Sequence, residues 1–275
     1  MVFEKYLEEN ATLINEELDL ILSEFLNETK KTNIKLLPFA LGLLNSTRGG
    51  KRIRGVLLKL GFEIASGSPN LRNDVLRVAS ALEILHTAFL IHDDIMDKSE
   101  ERRGQPSLYK LLGIPQAINV GDIGLYLPIK LISEANFLGE VKIKAINFLS
   151  EMVINTGFGQ ILDVEEDKSE IEFIRLYKTA KYTVAGPLQM GAILAGMDPT
   201  SPEFRGIKEF GEKLGIAFQI QDDILDKEIA DIETAKKEAL KYTAEAKEMI
   251  DDITGNARFK IILKEMTEYM MGRNK

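Results

Sequence analysis

Two aspartate triplets, each at the end of a long apolar stretch, constrain this chain more than any other feature. Each has the spacing D-D-x-x-D, and together they comprise Asp93, Asp94 and Asp97 in "IHDDIMD" and Asp222, Asp223 and Asp226 in "IQDDILD". On a helix, residues four apart share one face, so the first and third aspartates of each triplet point the same way. Like charges at this spacing destabilise a helix unless something neutralises them. The triplets therefore indicate two helix ends that bind a cation.

Magnesium is the cation that fits these carboxylates best. Mg²⁺ prefers oxygen ligands, keeps several waters, and is commonly held by one or two carboxylates plus substrate phosphates. Two facing carboxylate clusters therefore predict a diphosphate held through bridging metal ions. A single D-D-x-x-D is more often a solvated surface patch, but two copies on apolar segments favour the metal site. The pair Asp251 and Asp252 lacks a third acid and is interpreted as helix surface.

The composition bounds the class of protein. The chain has 275 residues, an apolar fraction of 45%, a net charge of −8 and a pI near 5.1. This is ample for a buried core, and the negative charge argues against nucleic acid or anionic membrane surfaces as partners. There is no cysteine, so disulfides are excluded. The start "MVFEKYLEEN" is not a signal peptide, and the run 184–197 is too short to span a membrane, so we expect a cytoplasmic protein without a transmembrane segment.

Apolar residues recur at helical spacing along almost the whole chain. The predicted helices cover residues 3–25, 38–44, 54–65, 73–97, 115–138, 140–162, 171–195, 200–226 and 229–250, with a last one around 261–269. Pro128 and Pro187 predict kinks, and "RRGQPS" and "GIP" predict loops. No alternating strand pattern and no long linker is present. The sequence therefore predicts a single all-α domain over residues 1–275, a helical bundle around a central cavity.

Two of these segments are apolar on most of their circumference. They cover residues 75–91 and 182–197. A helix that is apolar all round is buried, or lines an apolar cavity or a subunit interface. Acid clusters at the ends of such helices place charge at a cavity mouth with hydrocarbon below it. This arrangement suits an amphiphile with a diphosphate head and an apolar tail.

Further charged and polar residues lie close to the triplets in sequence. In "RGGKRIR", the glycine pair that includes Gly50 lets the backbone approach a ligand, and Lys51, Arg52 and Arg54 offer charge to phosphate oxygens. Arg102 and Arg103 follow the first triplet and bind phosphate or neutralise the acids. His86 and His92 are the only histidines, and His92 is interpreted as a core residue. "GFGQILD" and "YKTAKY" add Gln160, Asp163, Lys178 and Thr179, without the spacing of a catalytic triad, a zinc site or a P-loop.

Taken in order, these motifs resemble the trans-isoprenyl diphosphate synthases. The resemblance runs from Gly49 to Asp226 through "GGKRIR", "LHTAFLIHDDIMD", "RRGQPS", "GQILD", "YKTA" and "FQIQDDILD". It implies an all-α homodimer of the isoprenoid synthase type, in which both Asp motifs bind the Mg²⁺ that holds an allylic diphosphate. Ionisation then gives an allylic cation, which the double bond of isopentenyl diphosphate attacks before a proton is lost.

The resemblance also implies a role for individual residues. Gly50, Lys51, Arg54, His86 and Arg103 would bind isopentenyl diphosphate, Arg102, Lys178 and Gln219 would face the allylic substrate, and Thr179 would lie beside the reacting carbons with Asp163 deeper in the cavity wall. Ala88 and Phe89, at the fifth and fourth positions before the first triplet, would form the floor of the chain pocket. An alanine there leaves room and a phenylalanine restricts it, so a product of intermediate length such as C20 is expected.

The chain departs from the family pattern after the second triplet. The family carries a lysine-bearing lid there, whereas this chain passes from Asp226 into "KEIADIETAKKEALKY", so the lid is interpreted as deleted. Lys227, Lys236 and Lys237 are interpreted as surface lysines of an amphipathic helix rather than as substitutes for the lid lysines. Gly55 also stands where the family has proline. Besides a working elongase, the sequence leaves open a non-catalytic protein that binds prenyl lipids or prenyl diphosphates. A terpene cyclase and an unrelated bundle fit less well, since cyclases pair one D-D-x-x-D with a mixed motif.

Overall fold

Helices dominate the structure, a computed structural model that describes residues 1–67, 69, 73–165, 168–227, 229 and 231–272, without the Lys168 side chain. The all-α prediction is confirmed. The helices are α1 (Val2–Thr32), α2 (Leu37–Thr47), α3 (Ile53–Ser66), α4 (Asn73–Met96), α5 (Leu108–Leu112), α6 (Ile114–Glu134), α7 (Gly139–Val164), α8 (Ile171–Ile174), a π-helical segment (Arg175–Ala185), α9 (Gly186–Leu194), α10 (Pro202–Leu225), α11 (Ile232–Glu248), α12 (Ile250–Ile253) and α13 (Ala257–Met271). Short 3₁₀ turns lie at Ile34–Leu36 and Lys168–Glu170.

The chain divides into two compact units. The N-terminal unit comprises Asn10–Gly55 and Arg72–Asn136, and the C-terminal unit comprises Met1–Glu9, Val56–Leu71 and Phe137–Lys275. Each unit contains one of the two aspartate triplets. The predictions of a single domain and of a cavity at its centre stay predictions.

Helix α4 is the central element of the N-terminal unit, where it packs against α2, α5 and α6. Most of its residues are buried, as its apolar sequence predicts. Gly124 on α6 permits a close approach, since a Cβ atom there would lie 2.9 Å from Cβ of Ala88. By length and composition, α4 is the one helix in the described parts of the chain that could cross a membrane, and 72% of its apolar window is buried inside the protein. The prediction of no transmembrane segment stays a prediction.

Helix α10 is the central element of the C-terminal unit. It packs against the π-helical segment and against α9, α11, α12 and α13. Ser201 caps its first turn by accepting a hydrogen bond from the Phe204 amide at 3.1 Å. Gly215 brings α10 against the backbone of Ala180. Every residue of α9 is buried, which confirms that this apolar segment is part of a core.

Two connections differ from the sequence predictions. The predicted loop "RRGQPS" contains a short antiparallel hairpin of β1 (Glu101–Arg102) and β2 (Gln105–Pro106), and α5 follows it. Arg103 and Gly104 both have positive φ, which is the geometry of a two-residue hairpin turn.

The single helix predicted over 171–195 is divided in the structure into three consecutive helical segments. A π-helical segment lies between α8 and α9. Pro187 has no N–H to donate to a preceding carbonyl, and it stands in the first turn of α9, where none is needed. The amide of Gly186 bonds to Lys181 O, five residues back, so the wider turn ends there. Pro128 lies inside α6.

Candidate functional site

The two aspartate triplets terminate their helices in the same way. The amide of Asp97 donates to Asp93 O at 2.8 Å, and the amide of Asp226 donates to Asp222 O at 2.9 Å. A lysine with left-handed backbone follows each triplet, at φ 54° in one case and 64° in the other. Negative partial charge accumulates at a helix C-terminus, which favours a bound cation.

The similarity of the two triplets extends over eleven residues. "AFLIHDDIMDK" at 88–98 and "AFQIQDDILDK" at 217–227 are identical at eight positions. Burial follows the same pattern in both, because the alanine, the isoleucine and the middle aspartate are buried, whereas the third aspartate is exposed. The sequence predictions used only the aspartates and missed the longer repeat.

The middle aspartate of each triplet is buried and bound by an arginine. Asp94 accepts hydrogen bonds from Nε and Nη2 of Arg102, at 2.9 and 2.5 Å. Asp223 accepts from Nε and Nη2 of Arg175, at 3.1 and 3.0 Å. Asp94 and Asp223 are 3% and 6% exposed. Their carboxylates therefore serve first as anchors for arginines, and the outer aspartates are the accessible members of each triplet.

The outer aspartates fit the magnesium predicted from the sequence. Each triplet offers two hard oxygen ligands four residues apart, at the negative end of a helix. Among the described residues, no group of three or more histidine, aspartate or glutamate side chains is assembled as a metal cage. Mg²⁺ suits a site with few protein ligands, since it keeps waters and takes substrate phosphate oxygens. The residues that would hold it are Asp93, Asp97, Asp222 and Asp226.

Two of the predicted catalytic residues of the C-terminal unit, Thr179 and Gln219, form a continuous network with the second triplet. Thr179 donates to Oε1 of Gln219 at 2.7 Å, and Nε2 of Gln219 donates to Oδ1 of Asp223 at 2.6 Å. Lys178 donates to Asp163 at 2.5 Å. Both Lys178 and Thr179 lie in the π-helical segment, a type of helix that is frequent at functional sites.

A buried glutamate of α4 holds the basic loop after α2 and the first turn of α3 in place. Gly49 and Gly50 have φ of 77° and 89°, which only glycine adopts without strain. Oε1 of Glu83 on α4 accepts a hydrogen bond from the Gly55 amide at 2.8 Å. Arg52 is 5% exposed, donates to Asn15 at 2.7 Å and lies 3.8 Å from Glu83. The prediction that Arg52 offers its charge to phosphate is wrong, because its guanidinium is directed into the protein.

Four arginines of the N-terminal unit act electrostatically on His86. Burial lowers the pKa of His86 well below its ordinary value, and the positive charges of Arg54, Arg103, Arg102 and Arg52 lower it further. The imidazole is therefore neutral at pH 7, and the net positive electrostatic environment around it favours an anion. Arg54 and Arg103, together with Lys51 of the same loop, are the residues predicted to bind isopentenyl diphosphate.

A cavity of about 560 Å³ lies beside the first triplet, within the N-terminal unit. Arg48, Arg102 and Arg103 contribute charge to its wall, and Leu90 and Leu108 contribute apolar surface. Nη1 of Arg103 donates to Arg48 O at 2.7 Å, which ties the hairpin to the basic loop. The wall thus combines cationic and apolar groups, as the sequence predicts for an amphiphilic ligand.

Three residues near the first triplet can be compared with their sequence predictions. His92 is not a core residue, since it is partly exposed and its Nε2 lies 3.5 Å from Asp122. Ala88 is fully buried and lies close to Gly124 of α6, so its side chain fills a contact between helices. Phe89 is half-buried. Their assignment to a chain pocket stays a prediction.

The sequence predictions missed Arg175, Glu83 and Glu238. Glu83 is a buried charged residue inside an otherwise apolar helical stretch, and this is the signal that could have identified it. Arg175 is also buried, but it lies among other charged residues, so the sequence gives no such signal for it. Glu238 lies on a charge-rich helix, where nothing in the sequence distinguishes it from a solvated residue.

Comparison with known proteins identifies the family to which the chain belongs. The polyprenyl synthetase family model matches residues 41–256. A short chain isoprenyl diphosphate synthase of Methanothermobacter thermautotrophicus is 37% identical over 66% of this chain and 55% of its own length. A farnesyl diphosphate synthase of Geobacillus stearothermophilus is 38% identical over 68% of this chain and 65% of its own. A solved geranyltranstransferase of Thermotoga maritima is 28% identical, with a TM-score of 0.75 over 94% of this chain and 99% of that chain.

The chain belongs to the polyprenyl synthetase family, and its fold is the all-α isoprenoid synthase fold. It spans a little more than half to about two thirds of the length of the curated relatives it matches. The lid deletion inferred from the sequence stays a prediction. In the structure, six residues separate Leu225 at the end of α10 from Ile232 at the start of α11.

Proposed function

We propose that this protein is a Mg²⁺-dependent prenyltransferase that elongates an allylic diphosphate with isopentenyl diphosphate. The observation that carries the proposal is the repeated helix end, because two triplets with the same backbone geometry and a buried arginine-bound middle aspartate occur in one chain of this family. Two carboxylate sites for divalent cations suit a substrate whose leaving group is a diphosphate.

Bound Mg²⁺ would supply electrostatic stabilisation of the departing diphosphate. Asp93 and Asp97 would hold it at the first triplet, and Asp222 and Asp226 at the second. Arg102 and Lys178 would add positive charge for the allylic diphosphate. Preorganised charges of this kind act where negative charge develops, and each contributes roughly 10²–10³ in rate.

The arginine cluster around His86 would bind the second substrate. Lys51, Arg54 and Arg103 supply charge-assisted hydrogen bonds to the diphosphate of isopentenyl diphosphate. His86, kept neutral by burial and by these arginines, donates one hydrogen bond without adding charge. Thr179 and Gln219 form a fixed polar pair, which would lie at the reacting carbons and hold their environment in place.

A homodimer is supported by the outer face of α7. Ile143, Ile154, Phe158, Ile161 and Val164 are each more than half exposed on this helix. Five exposed apolar side chains on one helix are typical of a protein–protein contact. Phe158→Glu is expected to shift the mass measured by light scattering from dimer to monomer, whereas Glu151→Gln on the same helix leaves it unchanged.

An intermediate product such as C20 follows from Phe89 as the floor of the chain pocket. Phe89→Ala removes a half-buried ring and is expected to lengthen the product. An unchanged product distribution would refute the assignment of this residue. The cytoplasmic location predicted from the sequence is part of the same proposal.

The test of the proposed function is an assay of the purified chain with Mg²⁺, labelled isopentenyl diphosphate and dimethylallyl, geranyl or farnesyl diphosphate. Products are separated by chain length. Labelled prenyl products would establish the elongase and set its chain length. Absence of turnover, with prenyl lipid bound in the same preparation, would instead identify a prenyl-binding protein.

A further inference from the structure

Both oxygens of the Asp223 carboxylate are already bonded within the protein. Oδ1 accepts from Gln219 at 2.6 Å, and Oδ2 accepts from two nitrogens of Arg175 at 3.0 and 3.1 Å. Hydrogen bonds between an arginine and a carboxylate are among the strongest in proteins. Asp223 is only 6% exposed, so these bonds are sheltered from water. The residue is therefore fixed in position.

Arg175 is itself held from a second helix. Its remaining terminal nitrogen, Nη1, lies 3.6 Å from Oε2 of Glu238 on α11. The Arg175 side chain is 8% exposed and that of Glu238 is 33% exposed. Because the guanidinium is a planar fork with donors on several sides, one arginine can join carboxylates from α10 and α11. The result is a bridge from Asp223 through Arg175 to Glu238.

This bridge controls the turn that carries the accessible aspartates. Asp222 lies beside Asp223 in the last turn of α10, and Asp226 is the C-cap residue that directly follows this helix. The last turn of a helix has carbonyls without intrahelical partners, so it is the part that most needs fixing by side chains. Fixing the Asp223 side chain therefore fixes the rotation of this turn, and with it the directions of the Asp222 and Asp226 side chains.

We propose that Arg175, held by Glu238, is a positioning residue that orients Asp222 and Asp226 for a divalent cation. Its burial and its two carboxylate partners keep its guanidinium away from substrate. The inference rests on the proposed function, which assigns a cation to the second triplet. Partners that orient ligating carboxylates typically change metal affinity by 10–100-fold when they are removed.

The test is a titration of the chain of residues 1–275 with Mn²⁺, in which EPR measures the concentration of the free ion. It is made in an Asp93→Asn background, so that the second triplet dominates the binding. Arg175→Gln is expected to raise the Mn²⁺ dissociation constant by about 10–100-fold. Arg175→Lys should give a smaller rise, because a lysine keeps the charge but loses the fork geometry. Glu238→Gln should give the smallest rise.

Lys59→Gln is the matched control in the same unit. Lys59 is 3% exposed and pairs with the buried Glu63, so its loss also breaks a buried ion pair, one that does not bond to the triplet. An unchanged Mn²⁺ affinity in this variant is expected. A loss as large as that of Arg175→Gln would mean general destabilisation and would overturn the proposal.

Asp222→Asn separates the two hypotheses. If it leaves the Mn²⁺ affinity unchanged, the cation at the second triplet, and with it this part of the proposed function, is wrong. If it weakens binding while Arg175→Gln stays within twofold of the parent, only the positioning role is wrong. Should Arg175→Gln fail to fold by circular dichroism, Arg175→Lys and Glu238→Gln decide: both within twofold overturns the role, and weakening of either supports it.

Discussion

The two aspartate triplets share a sequence and a backbone geometry, but the arginines that bind them have different surroundings. Arg102 comes from an exposed hairpin, and its side chain is 38% exposed at the wall of the cavity beside the first triplet. Arg175 lies at the start of the π-helical segment, and its side chain is 8% exposed between two carboxylates. The same ion pair therefore serves two purposes: one arginine is accessible to a ligand, and the other supports the protein.

Loss of an outer aspartate tests whether the triplets are equivalent. Asp93→Asn and Asp222→Asn each remove one ligating oxygen while keeping the side-chain shape. We expect each to lower kcat/KM by about 10²–10³, because each removes charge that a preorganised cation needs. Steady-state kinetics at saturating Mg²⁺ measures the effect. A variant that keeps parental activity would show that its triplet does not bind the catalytic cation.

Exchange of the two arginines for glutamine should separate their roles. Arg102→Gln is expected to raise the KM for the allylic diphosphate about tenfold or more, since it removes a charged donor accessible to phosphate. Arg175→Gln should leave this KM near the parental value at saturating Mg²⁺ and instead raise the Mg²⁺ concentration needed for half-maximal rate. If both variants change the KM for the allylic diphosphate and the Mg²⁺ requirement equally, the two arginines do not have different roles.

Gln219 is a further difference, because the equivalent residue before the first triplet is Leu90. Gln219→Leu makes the second repeat resemble the first and removes the partner of Asp223 Oδ1. We expect a several-fold loss of activity, smaller than that of the aspartate variants. Leu90→Gln is the reverse control and should not raise activity. No change in Gln219→Leu would show that the Thr179–Gln219–Asp223 network is dispensable.

Only the region of the first triplet contains histidine, so acid should affect the two repeats differently. The pKa of His86 is lowered in the folded protein, whereas an unfolded histidine titrates near 6.5. Below about pH 6.5 the unfolded chain therefore binds a proton that the folded chain does not, and stability falls as the pH falls. His86→Gln should lose less stability between pH 7 and pH 5 than the parent in urea unfolding. Parallel pH profiles of the two proteins would contradict this.

The lysines after the two triplets should behave alike, with the smallest effect. Lys98 and Lys227 both adopt positive φ, which costs a residue with a Cβ atom roughly 1 kcal/mol relative to glycine. Lys98→Gly and Lys227→Gly are each expected to raise the free energy of unfolding by about 0.5–1 kcal/mol. Alanine at the same positions keeps the strain and should give no gain. A gain at one site alone would show that the two helix ends are not equivalent.

Much of the fold could be read from local patterns. The helices around the two triplets were predicted almost to their ends, because apolar spacing and capping residues such as Ser201 act within a few turns. The hairpin after the first triplet and the π-helical segment were missed. Both depend on how neighbouring elements pack, and neither has a period that the sequence displays.

The sequence by itself determined an all-α chain of the polyprenyl synthetase family with two carboxylate helix ends and a basic loop. Only the tertiary structure decided which charged residues face inward. Arg52 is identical in type to Arg54, yet it bonds to Asn15 beside Glu83 and is withdrawn from any ligand. Arg175 is likewise taken up by Asp223 and Glu238, which are 48 and 63 positions away in the chain. Such pairings follow from the burial of whole helices, because a buried charge must find a partner wherever packing brings one close.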